Sequence, residues 1–349
     1  MFLRSPSSRN AILFFLLAIA LIGLASLDLM VGSIDIPFKD ILSMLAGGEP
    51  EKSSWETILY EFRIPKLITA ILAGMALSIS GLQMQSLFRN PLAGPYVLGI
   101  SSGASLGVAL LILGYSFLGT STVPAMPGNL SIVLASWIGS GAVLLLVFLI
   151  SLRIKNNITL LILGVLIGSA ASSIVSILQY FSSESSLKTF VIWTMGSLGN
   201  ISKDQLMLLI PVVLSGLLLA FINLKSMDAW ALGENHARSL GVNLQGSRIL
   251  ILVSTSILAG SITAFCGPIG FIGIAVPHIT RMIFKSSSHR VLFPGNLLLG
   301  SILLILSDML TLAAGSDVVL PINSITALVG IPVVIYLIFI NQKIKVWNG

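Results

Sequence analysis

Long apolar runs recur along this chain and constrain its fold more than any other feature. An α-helix needs about 20 residues to cross the hydrocarbon core of a membrane. By this criterion we predict ten spans, near residues 11–31, 65–87, 96–114, 131–151, 158–181, 206–224, 248–266, 269–284, 292–314 and 323–341. The sequence therefore predicts an all-α, polytopic membrane protein in which residues 1–349 form a single transmembrane domain.

The composition excludes the soluble classes of protein. Only 9% of the 349 residues are charged, against roughly 25% in soluble domains. The net charge of +6 does not indicate nucleic-acid binding, because lysines and arginines in short loops set membrane topology instead. The first apolar run follows Arg4 and Arg9, a pattern that a signal peptide also shows. Its length and the spans that follow favour a retained first helix.

Basic residues are distributed unequally between alternate loops. With the N-terminus in the cytoplasm and ten spans, thirteen of the 19 lysines and arginines fall in predicted cytoplasmic segments. Positive charge is enriched on the cytoplasmic side of membrane proteins. We therefore predict that both termini are cytoplasmic.

The segment DAWALGENHARSLGVNLQ, residues 228–245, interrupts the apolar pattern on the predicted cytoplasmic side. Gly233 and Gly241 divide it and leave a helical piece that is too short to cross a bilayer. Isolated helices of this length are marginal in water, so we expect another surface to pack on it. An ordinary loop folded on its own domain is the alternative.

Polar and helix-breaking residues also occur within the apolar runs. Asp308 lies in the ninth predicted span, where an ionisable group is by default a functional candidate. An aspartate hydrogen-bonded to a neighbouring helix near the outer interface is the alternative. Prolines break the chain within residues 89–95, 267–278 and 320–332. Broken helices are tolerated where they are buried or line a cavity, which favours transport over anchoring.

Several catalytic and ligand-binding motifs are absent. The sequence has no G-x-x-x-x-G-K-[ST] phosphate loop, no H-E-x-x-H, no G-x-S-x-G and no paired cysteines. Its three histidines lack the spacing of metal ligands. We therefore predict a chain that is not an enzyme, with no catalytic residues, no metal site and no cofactor of its own.

Four motifs resemble those of the FecCD, or vitamin B12-type, permease family, whose members transport iron chelates, haem and vitamin B12. They occupy residues 63–105, 232–242, 267–281 and 320–332, in the order of the family. The resemblance implies ten helices, a type II ABC importer architecture and a homodimer with one translocation path. It also implies two separate ATPase subunits that bind ATP and Mg, a periplasmic or lipid-anchored binding protein, and a bacterial inner-membrane location.

The resemblance further implies roles for individual residues. In the family, the segment matching 228–245 contacts the ATPase. Our candidate coupling residues are Gly233, Glu234, Ala237, Arg238, Leu240 and Gly241.

Docking and gating residues also follow from the resemblance. Arg63 and Lys66 match basic residues at the outer start of the second span that meet acidic residues of the binding protein. The candidate residues of a cytoplasmic gate are Asn90, Leu92, Asn157 and Thr159. The alternative for these four is that Asn90 caps local backbone and the others merely begin helices.

The sequence departs from the family pattern in three places. Lys66 replaces the usual Arg, which keeps the charge but loses the bidentate geometry. Leu312 stands where a further Arg is common, which weakens the expectation for docking of the second lobe unless Lys188 or Lys203 substitutes. Ile322 and Asn323 replace the usual Val-Gly, and either packing or pore polarity could be affected.

The leading hypothesis is the permease subunit of an ATP-driven importer of a bulky metal chelate. Iron-siderophore, haem and cobalamin stay open as cargo. An ion-coupled secondary transporter, with Asp308 as the lone intramembrane carboxylate, is one alternative. A non-transporting membrane scaffold is another.

Overall fold

The structure is a computed structural model that describes residues 8–32, 34–114, 129–154, 157–312 and 319–347. These ranges are almost entirely helical and contain no strand. The first part comprises α1 (Ser8–Met30), α2 (Phe38–Leu45), α3 (Ser53–Thr57), a π-helical turn (Ile58–Arg63), α4 (Ile64–Phe88), a 3₁₀ turn (Pro95–Leu98) and α5 (Ile100–Ile112). The second part comprises α6 (Asn129–Arg153), α7 (Asn157–Tyr180), α8 (Glu184–Thr194), α9 (Lys203–Ile222), α10 (Leu224–Ala231), α11 (Glu234–Ser239), α12 (Leu244–Cys266), α13 (Ile272–Phe284), α14 (His289–Thr311) and α15 (Ile322–Trp347).

Seven of the described helices are long and apolar enough to cross a membrane. They coincide with all the predicted spans except the third, eighth and tenth. The third and eighth positions hold the shorter apolar helices Ile100–Ile112 and Ile272–Phe284, whereas the tenth holds α15 (Ile322–Trp347), of which the apolar stretch Ile322–Tyr336 is described. The prediction of about ten spanning helices is therefore not confirmed by helix length. The difference arises where the chain is broken, because a 3₁₀ turn precedes α5 and non-helical residues precede α13.

Helix α4 lies at the centre of the bundle and packs against α9, α12, α13 and α14. Most of its side chains are buried. Glycines permit the close approach of its neighbours, since small residues let helix backbones come together in membranes. A Cβ atom at Gly81 would collide with the carbonyl oxygen of Gly273 on α13, and one at Gly74 would collide with that of Gly300 on α14.

The helix ends define two faces of the bundle. At one end, Arg9 near the start of α1 donates to the carbonyl oxygen of Ile283 near the end of α13, at 2.7 Å. The end of α4 and the start of α14 meet at the same end through Ser86 and His289. The opposite end carries α2 and α3. Following the predicted orientation, we call the first the inner end and the second the outer end.

The broken segment between α12 and α13 is held by the start of α15. Gly267 (φ 75°) and Phe271 (φ 65°) both adopt left-handed backbone conformations. Between them, the backbone N–H of Gly270 donates to Oδ1 of Asn323 at 3.0 Å, and the N–H of Asn323 donates to the carbonyl oxygen of Met195 at 3.3 Å. Asn323 therefore connects the start of α15 to the broken segment.

Candidate coupling, docking and gate sites

Residues 228–245 form two short helices at the inner end, the second half of α10 and the whole of α11. Gly233 (φ 105°) caps the start of α11, and Gly241 (φ 76°) follows its end. Both φ values are ones that side chains other than glycine rarely adopt. The division of the segment by these two glycines matches the prediction. Asn243 then begins α12 by accepting the N–H of Gly246 at 2.9 Å.

The six-residue helix α11 has one buried and one exposed side. Ala237 is fully buried, and its carbonyl oxygen accepts the N–H of Val242 at 3.1 Å. In contrast, Leu232 and Leu240 are 63% and 66% exposed, and Arg238 is exposed as well. Large apolar side chains exposed together outside the spans indicate a protein contact. We call Leu232, Arg238 and Leu240 the coupling surface. The side chain of Glu234 lies outside the described part of the structure.

The first pair of predicted gate residues lies in the turn that follows α4. Arg89 ends the helix in a left-handed conformation (φ 48°). Oδ1 of Asn90 accepts the N–H of Leu92 at 2.9 Å, and its carbonyl oxygen accepts the N–H of Ala93 at 3.1 Å. Asn90 thus caps local backbone, as its alternative predicts, while the Leu92 side chain is exposed.

The second pair lies at the start of α7. Asn157 is the first residue of that helix, and its side chain lies outside the described part of the structure. Thr159 is exposed at the inner end. These positions do not test gating, so the gate stays a prediction for all four residues.

Arg63, predicted to dock the binding protein, points into the protein at the outer end. It is only 8% exposed, and its guanidinium donates to the carbonyl oxygens of Leu29, Met30 and Ile34. These carbonyls lie at and beyond the end of α1, where a helix leaves its last carbonyl groups without partners. Arg63 therefore joins the end of α1 to the start of α4.

Lys66 and Asp308 form an ion pair between α4 and α14. The distance from Nζ of Lys66 to Oδ2 of Asp308 is 2.6 Å, and Asp308 is buried close to the outer end of α14. This geometry matches the alternative of a paired aspartate near the outer interface. Asp28 of α1 is buried beside Asp308. The prediction that Asp308 is the lone intramembrane carboxylate was therefore wrong.

Replacing Lys66 with Met should lower the thermal stability of the protein. The substitution leaves Asp308 buried without its positive partner, and removing one partner of a buried ion pair costs about 3–5 kcal/mol. We expect a lower melting temperature in detergent, measured by tryptophan fluorescence. The double variant Lys66→Met/Asp308→Leu should recover part of the loss, because Asp308 is then no longer left unpaired, although Asp28 beside it also loses Lys66. A single variant that melts like the wild type would contradict the contribution of the pair.

A cavity of about 400 Å³ opens near the outer end between α6, α8, α12 and the start of α15. Apolar side chains form most of its wall, with the amides of Asn200 and Gln205 beside them. Its apolar lining includes Trp193, Met195, Phe265 and Leu320. None of the predicted site residues contributes to it.

Comparisons with known proteins give matches along nearly the whole chain. The sequence profile of the FecCD transport family matches residues 16–339. The hemin transport system permease protein HmuU of Yersinia pestis is 32% identical over 331 residues, which cover 95% of each protein. The vitamin B12 import system permease protein BtuC of Citrobacter koseri is 33% identical over 311 residues, which cover 87% of this chain and 91% of BtuC.

One solved structure is similar over the same extent. It is described as the inward-facing conformation of a metal-chelate type ABC transporter. It superposes with a TM-score of 0.80 at 27% sequence identity, covering 94% of this chain and 98% of that one.

Proposed function

This chain belongs to the FecCD transport family, and from that membership we propose that it is the transmembrane permease subunit of an ABC importer that moves a bulky metal chelate into the cytoplasm. The observation that carries this proposal is the family match over residues 16–339. The relatives described above are permeases for hemin and vitamin B12, and the similar solved structure is of the metal-chelate type. Iron-siderophore, haem and cobalamin are the cargo classes to be distinguished.

ATP hydrolysis on two separate ATPase subunits drives this transport in our proposal. The coupling surface supports it, because Leu232 and Leu240 expose apolar side chains at the inner end, outside the spans. The chain has no phosphate-binding loop, so ATP and Mg bind the partner subunits. The glycine-bounded helix α11 is the element that seats on each ATPase, with both termini of the permease on the same cytoplasmic side.

A second copy of the chain completes the translocation path in our proposal. Support comes from α7, whose exposed residues include Ser169, Ser172, Ser173 and Ser176. Three of these hydroxyls donate to carbonyl oxygens of α7 itself, at 2.9–3.0 Å. Small residues and hydroxyls are enriched where membrane helices meet each other rather than lipid. The exposed face of α7 therefore suits the axis of a homodimer.

Ion-coupled transport has less support from the structure than from the sequence. A carboxylate that binds a coupling ion is expected to face a cavity within the membrane. Asp308 instead pairs with Lys66 at 2.6 Å. The ATP-driven importer is therefore the function that we propose.

Uptake into proteoliposomes tests the proposal. The vesicles would hold the permease with its ATPase subunits, and the binding protein would be supplied on the outer-equivalent side. We expect ATP-dependent accumulation of one of labelled haemin, cobalamin or a ferric siderophore, and none with an ATPase variant that cannot hydrolyse ATP. Uptake that follows a proton or sodium gradient without ATP would contradict the proposal and restore the ion-coupled alternative.

Docking of the binding protein at Lys66 is a further part of the proposal, whereas Arg63 is buried and its guanidinium is occupied by three carbonyl oxygens. Lys66 is 22% exposed, so its ammonium group reaches the outer end in addition to pairing with Asp308. We expect Lys66→Gln to lower the affinity for the binding protein, with a smaller difference at high salt, because docking charges are screened. The matched control is Lys39→Gln, which removes an exposed charge from α2 at the same end. Equal affinities of wild type and Lys66→Gln at all salt concentrations would remove Lys66 from the docking site.

A further inference from the structure

Three polar side chains from three different helices form a continuous hydrogen-bonded chain at the inner end. Nε2 of His289 on α14 lies 2.6 Å from the hydroxyl oxygen of Ser86 on α4. Nδ1 of the same imidazole lies 2.8 Å from Oδ1 of Asp228 on α10, and Oδ1 also accepts the backbone N–H of His289 at 2.7 Å. We call Ser86, His289 and Asp228 the inner-end network.

The network has the same order of groups, serine, histidine and aspartate, as the catalytic triad of a hydrolase. Unlike the serine of such a triad, however, its serine is buried. Ser86 and His289 are buried, so a substrate carbonyl has no access to the serine oxygen. Ser86 can also donate to the carbonyl oxygen of Leu82 in its own helix, at 2.8 Å. The network is therefore a connection between helices rather than a nucleophilic site.

Asp228 supplies the charge in the network. Burial raises the pKa of its carboxyl, but the hydrogen bonds from the side chain and backbone of His289 outweigh that effect and hold the pKa below its ordinary value. The carboxylate also lies at the N-terminus of α14, where the helix dipole favours negative charge. Asp228 thus fixes the first turn of α14 to α10, the helix that leads into the coupling surface.

A second set of buried hydrogen bonds joins α10 to α12. Nε1 of Trp230, a fully buried side chain, donates to the hydroxyl of Ser247 at 3.0 Å. That hydroxyl donates to Oδ1 of Asn223 at 3.0 Å, and Nδ2 of Asn223 donates to the carbonyl oxygen of Ser247 at 3.2 Å. α10 is therefore held on both sides, by the inner-end network and by Ser247.

The end of α4 is held by polar contacts as well. Oε1 of Gln85 accepts from Nη1 of Arg281 at 2.6 Å, and Nε2 of Gln85 donates to the carbonyl oxygen of Ile274 at 3.2 Å. In the turn after α4, Nε2 of His278 lies 2.8 Å from the carbonyl oxygen of Pro91. The turn that carries the predicted gate residues directly follows α4, which contacts α10.

Buried polar groups resist separation, because each one that loses its partner stays unsatisfied in a low-dielectric environment. A displacement of α10 must therefore carry α4 and α14 with it or break the inner-end network. The coupling surface begins at Leu232, directly after α10, so it cannot move far without moving α10.

We propose that Asp228, His289 and Ser86 are positioning residues that transmit movement of the coupling surface to the end of α4 and the turn at 89–95. This inference rests on the proposed function, since an ATPase must displace the coupling surface. The network fixes α10 to the two helix ends beside the predicted gate. Its members act through position and not by contact with the cargo.

Hydrogen exchange of the purified complex with its ATPase subunits tests this inference without knowledge of the cargo. The exchange of residues 232–241 reports ATPase binding, and that of residues 82–95 reports movement at the end of α4. In the wild type, a non-hydrolysable ATP analogue should change exchange at 82–95 by at least about fivefold, the lower end of typical coupling between two sites. In Asp228→Ala and Ser86→Ala, that change should fall below about twofold while protection at 232–241 remains.

Two control variants separate transmission from general damage. Asp228→Asn keeps an oxygen that can accept both N–H groups of His289, so the response at 82–95 should be rescued. Lys225→Ala removes an exposed side chain from the same helix and should respond like the wild type. Ser86→Ala deletes only a single hydroxyl. If Asp228→Ala does not assemble with the ATPase subunits, the response of Ser86→Ala at 82–95 alone tests whether the network transmits movement.

The unfavourable outcomes are distinct. A wild-type response at 82–95 in Ser86→Ala and in the assembled Asp228→Ala complex would overturn the inference while leaving the proposed function intact. Absence of protection at 232–241 in the wild type mixed with its ATPase would contradict the proposed function itself, and the inference with it.

Discussion

Leu240→Asp is expected to abolish co-purification of the permease with its ATPase subunits while the permease remains folded. Leu240 is 66% exposed on the coupling surface, so the fold loses little when it changes. At an interface, however, the new carboxylate would be desolvated without a partner. We expect the affinity to fall by at least about thirtyfold, the size of a hot-spot loss of about 2 kcal/mol, together with ATP-dependent uptake. Pull-down with tagged ATPase and melting temperature in detergent measure the two effects separately.

The matched control for this prediction is Leu42→Asp on α2. Leu42 is a similarly exposed leucine, but it lies at the outer end. The Leu42→Asp variant should therefore leave ATPase binding unchanged. Retained ATPase binding by Leu240→Asp, at wild-type melting temperature, would remove Leu240 from the coupling surface. Equal losses in both variants would show that the effect is not specific to the inner end.

Gly81→Ala is expected to destabilise the bundle strongly. A Cβ at this position would overlap the carbonyl oxygen of Gly273, and this neighbour is backbone, which cannot rotate away as a side chain can. Overpacking typically costs about 1–3 kcal/mol and more when backbone must shift, so we expect a loss at or above the upper end of that range. The measurement is thermal unfolding in detergent, with the yield of monodisperse protein as a second readout.

Gly141→Ala provides the control for Gly81→Ala. Gly141 lies in α6, and a Cβ there would meet nothing within 4 Å. Because alanine favours a helix by roughly 1 kcal/mol over glycine, this variant should be neutral or slightly stabilised. If Gly81→Ala and Gly141→Ala melt at the same temperature, the close approach of α4 to α13 is absent from the protein in detergent.

Features that depend on local sequence could be predicted. The long helices follow from runs of apolar residues, and the short helix α11 follows from the two glycines that bound it. The spans that differ are those where proline and glycine interrupt the run, because hydropathy measures the length of an apolar segment and not its backbone geometry. This difference affects α5 and α13.

The contacts of the charged residues could not be predicted in the same way. Arg63 is basic and lies at the outer start of α4, which suggested contact with an acidic partner, yet its guanidinium is occupied by three carbonyl oxygens. Backbone carbonyls occur at every residue, so no residue type marks them as acceptors. Asp28 was missed for a related reason. Asp28 lies near the end of an apolar run, where a charged residue is equally consistent with the beginning of a loop.

The inner-end network was hidden by sequence separation. Ser86 and His289 are 203 residues apart, and Asp228 and His289 are 61 apart. The spacing of His289 from the other histidines bears on metal binding and carries no information on its partners in space. Its pairing with Asp228 and Ser86 depends on how α4, α10 and α14 pack, which a single sequence does not specify.

The peripheral position of α1 sets an order of assembly during synthesis. α1 packs chiefly on α14, which begins at His289, so translation at about 5–20 residues per second separates the two helices by tens of seconds. During that interval α1 has only lipid and the early helices around it, and its apolar surface is suited to lipid. Arg63 follows soon after α1 and can secure its last carbonyl groups to α4. The ion pair between Lys66 and Asp308 must wait for α14, so α1 and α4 are joined through Arg63 before α14 is added.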